Sequence, residues 1–164
     1  MEAPFTISPV ETADDLAAAA GLFRAYATSL DVDLAYQGFA AELAGLPGLY
    51  APPAGALLLA RGGDGAPLGC VALRPTGAPG ACEMKRLYVA PEGRGLGLGV
   101  ALVRAALAAA SRAGYAEIRL DTLPSMHEAI ALYRKLGFDP IEPYYDTPVA
   151  GTLFLRRRLD DAAA

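Results

Sequence analysis

Four glycines at alternate positions, Gly93, Gly95, Gly97 and Gly99, separate two segments of opposite periodicity in this chain. Before them, Cys82–Val89 reads as a strand that ends in Leu87-Tyr88-Val89-Ala90-Pro91. After them, Val100–Ala113 reads as a helix, with Val100, Val103, Leu107 and Ala110 on one side and Gly114 as its stop. Glycine adopts positive φ and lets a ligand approach the main chain without a Cβ in the way. Free amides at a helix start form a nest for an anion, and the helix dipole adds to the attraction. A phosphate is the natural guest, with Arg94 beside it to supply charge-assisted bonds. A tight strand-to-helix turn that holds no ligand is the competing reading at this stage.

Spacing narrows the choice of phosphate ligand. The nucleotide loop Gly-x4-Gly-Lys-Ser/Thr is absent, because no lysine follows the glycines. The dinucleotide pattern G-x-G-x-x-G fails as well: Gly95 and Gly97 require glycine at position 100, which is Val100. Three strands precede the turn, Leu57–Ala60, Leu68–Leu73 and Cys82–Val89, joined by the short turns Gly62–Gly65 and Pro75–Gly80. They read as an antiparallel meander, which fits a doubly wound dinucleotide domain poorly.

The rest of the chain divides at turn signals into short elements. Phe5–Ser8 reads as a first strand. Thr12 reads as an N-cap with Asp14 and Asp15 in the first turn, ahead of a helix whose stripe is Leu16, Ala19, Ala20, Phe23, Ala27 and Leu30. A polar and aromatic connection, Asp31–Tyr36, leads to a short helix over Gln37–Ala44 that stops at Gly45 and Pro47. Glu117–Thr122 reads as a strand, Met126–Leu136 as a helix closed by Gly137, and Thr152–Leu159 as a last strand. One more strand is expected between Pro140 and Tyr145. The resulting order, β-α-α-β-β-β-α-β-α-β, implies an α/β (α+β) protein with a mixed sheet flanked by helices.

With 164 residues and no linker or charge run, the chain is expected to form one domain over residues 1–164. Its longest apolar stretch, Ala54–Ala60, is far short of the ~20 residues of a membrane span, so no membrane is expected as a partner. A net charge of −4 lacks the basic footprint of a nucleic-acid binder. Cys70 and Cys82 make no disulfide framework and no metal-ligand spacing, and His127 is the sole histidine, so no metal is expected. With Met1-Glu2-Ala3-Pro4 at the start, which lacks the basic region of a targeting peptide, the thiols point to a cytoplasmic protein.

Arg94-x-x-Gly97-x-Gly99 after Leu87-Tyr88-Val89-x-Pro91, followed by Ala129-x-x-Leu132-Tyr133-x-x-Leu136-Gly137-Phe138, resembles the two signature blocks of the GNAT superfamily of acyl-CoA-dependent N-acyltransferases. The likeness covers Cys82 to Phe138 closely and the element order loosely. It implies a central mixed, mostly antiparallel sheet of about six or seven strands with about four helices, splayed between the strands at 82–89 and 117–122. It also implies an N-acetyltransferase with acetyl-CoA as co-substrate. Backbone at Arg94, Gly95, Leu96, Gly97, Leu98, Gly99 and Val100 would hold the coenzyme pyrophosphate. Leu87, Tyr88 and Val89 would hold the pantetheine arm, with an N–H near Leu87 or Tyr88 on the thioester carbonyl.

Two side chains are implied as catalytic. Tyr133 matches the tyrosine that protonates the departing thiolate; a tyrosine closing the core is the competing role. Glu83 matches a general base that acts directly or through water. Lys85, two positions on, shares its strand face, so a paired surface charge is the alternative for Glu83. Met126 stands where the family often carries an asparagine that touches the coenzyme, with Ser125 as a substitute. His127 reads as an exposed helix-start residue.

The acceptor, a primary amine of a small molecule or a peptide, is expected between Asp31–Phe39 and Glu142–Pro148. Both segments are acidic and aromatic and suit a cation. Arg156-Arg157-Arg158 reads as a solvated edge of the last strand, through which a homodimer could pair. A non-catalytic acyl-CoA-binding module is the alternative to an enzyme.

Overall fold

The computed structural model describes residues 4–159; the Met1–Ala3 start lies outside them. Thr12 caps the first helix, α1 (Ala13–Ser29), in a reciprocal box: its hydroxyl accepts from the Asp15 amide at 3.0 Å, and the Asp15 carboxylate accepts from the Thr12 amide at 3.3 Å. The next helical stretch is broken by Gly38 at φ +70° into a 3-10 turn, Leu34–Gln37, and α2, Phe39–Ala44. Asp33 caps that turn, so its carboxylate is spent on the Ala35 amide at 2.9 Å.

Seven strands form one sheet: β1 (Phe5–Pro9), β2 (Ala56–Gly62), β3 (Pro67–Pro75), β4 (Ala81–Val89), β5 (Glu117–Thr122), β6 (Asp139–Pro140) and β7 (Leu153–Arg158), in the order β1-β2-β3-β4-β5-β7-β6. Every pairing is antiparallel except β4 with β5. The extra strand expected at 140–145 is only the two residues of β6, and it pairs with Leu155 and Arg156 of β7. Pro140 has no N–H to extend that ladder.

Helices α3 (Leu98–Arg112) and α4 (His127–Lys135) cover one face of the sheet, and α1 covers the other. Helix α3 begins two residues before the expected Val100. Its buried stripe is Leu98, Leu102, Val103, Ala106, Leu107 and Ala110, while Val100 is only half-buried. Opposite, Ala19, Leu22 and Phe23 of α1 pack on Leu57, Leu59, Cys70 and Ala72. Cys70 and Cys82 therefore lie on opposite faces, and burial pushes each thiol up to about 12. They are small core residues.

Two departures from regular pairing shape the centre of the sheet. The parallel ladder between β4 and β5 runs from Ala81–Glu117 to Glu83–Arg119 and stops there, so the strands part beyond it, as the fold of the family implies. On its other side β4 slips by one residue: Cys70 pairs with Tyr88, but Ala72 pairs with Lys85. The extra residue is Arg86, at φ +61°. An arginine in the left-handed region costs roughly 1–2 kcal/mol, so the bulge persists only because its surroundings demand it.

Candidate active site

What demands the bulge is a set of buried bonds. Arg86 donates from Nε and Nη2 to the two Glu42 carboxylate oxygens at 2.9 and 2.8 Å, and from Nη1 to Gln37 Oε1 at 2.8 Å. Its guanidinium also lies over the Phe39 ring, 5.2 Å from the centroid. A bidentate carboxylate pair of this geometry is among the strongest side-chain contacts. The bulge thereby ties α2 to the sheet at the point where β4 leaves β5. It also reverses the alternation, so Lys85 and Tyr88 share the α1 face while Met84, Leu87 and Val89 turn to the other.

The gap opens into a groove of about 980 Å³. Along one wall run Leu87, Tyr88 and Val89, and then Arg94, Gly95, Gly97, Leu98, Gly99 and Val100. All ten main-chain positions expected to hold the coenzyme lie on it except Leu96, whose side chain is exposed. Gly95 and Gly97 sit at φ +80° and +75°, where a Cβ would be strained. The first helical bond of α3 joins the Ala101 amide to the Gly97 carbonyl, which leaves the amides of Leu98, Gly99 and Val100 without intrahelical partners. The opposite wall comes from Ser125, Met126, His127, Glu128, Ala129 and Leu132, with Tyr26 and Ser29 of α1 at the end. Tyr26 and Ser29 carry no motif in the sequence; only the packing of α1 over the bulge brings them here.

A second, small cavity of about 30 Å³ adjoins the groove, with Tyr26, Leu87 and Met126 lining both. Tyr133 lines this cavity and not the groove. Its ring is 5.7 Å from Phe138, and its carbonyl accepts from the Phe138 amide at 3.0 Å, which closes α4 around Gly137. Burial pushes the Tyr133 phenol well above its ordinary value of 10. The hydroxyl has no side-chain hydrogen-bond partner among the described residues.

Glu83 is 4 % exposed and lines neither cavity. Its partner is not Lys85 but Arg74, its direct cross-strand neighbour on β3, at 2.9 Å. The other oxygen accepts from the Tyr144 hydroxyl at 2.7 Å. Lys85 turns instead to Gln37, at 3.1 Å, and to Asp121 of β5, at 3.8 Å. Tyr145 donates to Asp121, so consecutive tyrosines of the 142–148 loop each hold one buried carboxylate. Of the two segments expected around the acceptor, Leu34, Tyr36 and Gln37 reach the small cavity, and the later loop acts through these tyrosines. Asp121 and Lys85, which line the cavity, carry no motif and emerge only from the sheet register.

The model of the acetyltransferase (GNAT) family matches residues 22–138. An uncharacterised N-acetyltransferase of Schizosaccharomyces pombe is 43 % identical over 151 residues, 92 % of this chain and 93 % of the relative. A Klebsiella pneumoniae structure described as an acyl-CoA N-acyltransferase superposes with a TM-score of 0.71 at 29 % identity, covering 96 % of this chain and 99 % of that one. A Salmonella typhimurium structure, described as an acetyltransferase with its cofactor acetyl-CoA, reaches 0.70 at 20 % identity, over 98 % and 97 % of the two chains.

Proposed function

The chain belongs to the GNAT acetyltransferase family, and from that premise we propose that it moves the acetyl group of acetyl-CoA to a primary amine of a small molecule or peptide by direct attack in a ternary complex. That it is an N-acetyltransferase acting on an amine follows from the family. The observation that carries the finer reading is the parting of β4 from β5 after Glu83, continuous with the unpartnered amides at the start of α3.

Acetyl-CoA supplies the activated acyl group. The amides from Gly95 to Val100, with Arg94, bind its diphosphate at a helix start. Leu87, Tyr88 and Val89 offer a bare strand edge to the pantetheine arm, and an amide of Leu87 or Tyr88 stabilises charge on the thioester oxygen. As the amine nitrogen bonds to the acyl carbon and the carbon–sulfur bond breaks, Tyr133 gives its phenolic proton to the thiolate. Burial keeps the phenol protonated, so the proton is present when the thiolate forms; the same burial weakens the acid, and the transfer relies on the thiolate being desolvated as well. Glu83 takes the proton lost by the amine through a water molecule, since it lines neither cavity and stands behind the wall of the smaller one. Two buried free thiols, Cys70 and Cys82, support a place in the reducing cytoplasm.

Free-thiol release from acetyl-CoA against an amine panel tests the reading. Thiol should appear only with acceptor present, and Glu83→Gln and Tyr133→Phe should slow it while calorimetric binding of the coenzyme is kept. Absence of coenzyme binding in the calorimeter would sink the proposal.

A further inference from the structure

Resting on the acetyl-transfer reading, we propose that the acceptor is a small zwitterion, an amine that also carries a carboxylate, as in an α-amino acid. Its ammonium lies against Asp121 and its carboxylate against Lys85, in the small cavity beside Tyr133 and Leu87.

The cavity holds an incomplete ion pair. Lys85 Nζ and Asp121 Oδ1 stand 3.8 Å apart, outside hydrogen-bond range, with their side chains only 4 % and 9 % exposed. Each is held from elsewhere: Gln37 accepts one bond from Lys85, and Tyr145 donates to the other oxygen of Asp121. An ammonium has three donors and a carboxylate about four acceptor positions, so both groups keep unused capacity. Burying opposite charges without completing their hydrogen bonds is unfavourable, and burial accordingly pulls the Lys85 ammonium below its ordinary value.

Arg86 also lines the cavity, but three of its five N–H groups are spent on Glu42 and Gln37, and the bidentate Glu42 carboxylate offsets its charge. Of the charges that face the space, Lys85 and Asp121 are therefore the cation and the anion without a close opposite charge, and each can take a further partner. Covalent geometry puts the ammonium and nearer carboxylate oxygen of an α-amino acid about 3 Å apart. Laid head to tail across the pair, such a molecule sets each charge against its opposite and completes both. A plain cationic amine satisfies Asp121 but is repelled by Lys85.

Size agrees with charge. A cavity of about 30 Å³ has room for about two waters, which the ammonium and the nearer carboxylate oxygen of a small acceptor would replace, and it is too small for a branched polycation. The acidic segments alone predict a simple cation. The cationic half enters from β4, where Lys85 turns toward the cavity, and Asp33 of the acidic connection is spent as a cap.

The test compares small α-amino acids with their own amides and with alkylamines of equal length, by thiol release from acetyl-CoA on the intact protein. The amino acids should exceed their amides in kcat/KM by about ten- to a hundredfold, the range for one charge-assisted bond. In Lys85→Met that ratio should collapse toward one, and Lys85→Arg should restore part of it. Should Lys85→Met fail to fold, the wild-type ratio decides alone. Amides or alkylamines used as well as the amino acids overturn the zwitterion and leave acetyl transfer standing. Coenzyme binding without thiol release from any amine overturns acetyl transfer, and this inference with it.

Discussion

Tyr133 and Glu83 are both buried, but one hydroxyl faces a cavity unpartnered while the other group has both oxygens occupied. Replacing Tyr133 by Phe removes one atom from the cavity wall and keeps the ring contact with Phe138. We expect kcat to fall about 10²-fold with KM for acetyl-CoA unchanged, the scale of a lost general acid. Because burial holds the phenol protonated, the deficit should be the same across about pH 6 to 9; steady-state profiles of the two proteins check it. A wild-type limb in that range that vanishes in Tyr133→Phe would contradict the burial argument. Arg74→Met leaves the Glu83 carboxylate with Tyr144 alone. Since Arg74 itself is about a third exposed, a loss of about 2 kcal/mol is expected in urea melts, short of the cost at a fully buried pair. The sequence suggested Lys85 as the partner of Glu83 because spacing along a strand reports its face. It does not report the cross-strand neighbour, which depends on a register visible only after pairing.

At the level of elements, periodicity and caps located nearly every helix and strand, and the glycine turn marked one wall of the groove proposed to take the coenzyme. Gly97→Ala tests that turn. The position needs φ +75° with open space around the Cβ, so the penalty is conformational, about 1–2 kcal/mol of stability. Coenzyme affinity should fall with it, because relaxing φ turns the nest amides aside; melts and calorimetry read the two effects separately. The capping box gives a pH signature. The Glu11 amide and then the Arg61 guanidinium hold the Asp15 carboxyl down to about 2 from an ordinary 3.8. A depressed folded-state value means that the contribution is complete above pH 3.8 and is lost as pH falls toward 2. Asp15→Asn should therefore melt lower than wild type at neutral pH, and the gap should close between pH 3.8 and 2. The bulge at Arg86 was not legible. An arginine in the left-handed region follows no local pattern, and its cause lies in Glu42 and Gln37, more than forty residues away along the chain. Tyr26 and Ser29 were missed for the same reason: only tertiary packing carries α1 to the end of the groove.

Across the whole molecule, two well-packed faces surround a sheet whose centre is not fully closed. Beyond Glu83 the parallel ladder is absent, so the edge of β4 that faces β5 is unpaired and the strand is held only from its other side, by β3 through a slipped register. A ligand that lies in this gap and on the nest joins β4, the start of α3 and the start of α4, three parts of the chain that are otherwise coupled through the core. Acetyl-CoA should then act as a missing strand and stabilise the native state by linkage. At ~100 times its dissociation constant the gain is about 2.7 kcal/mol. For a domain of this length that corresponds to a rise in Tm of about 5 to 11 °C. The gain should also have a location. Amides of residues 84–89 and 94–100 should slow even where they exchange by local opening, whereas those in the cluster of Phe23, Tyr50 and Leu59 on the far face should slow only where they exchange by global unfolding. Adenosine 3′,5′-bisphosphate, which keeps the nucleotide end and lacks the arm, should protect residues 94–100 at most. Equal protection of 84–89 by that fragment would mean that β4 tightens without anything filling the gap, and the strand-like role of the arm would be wrong.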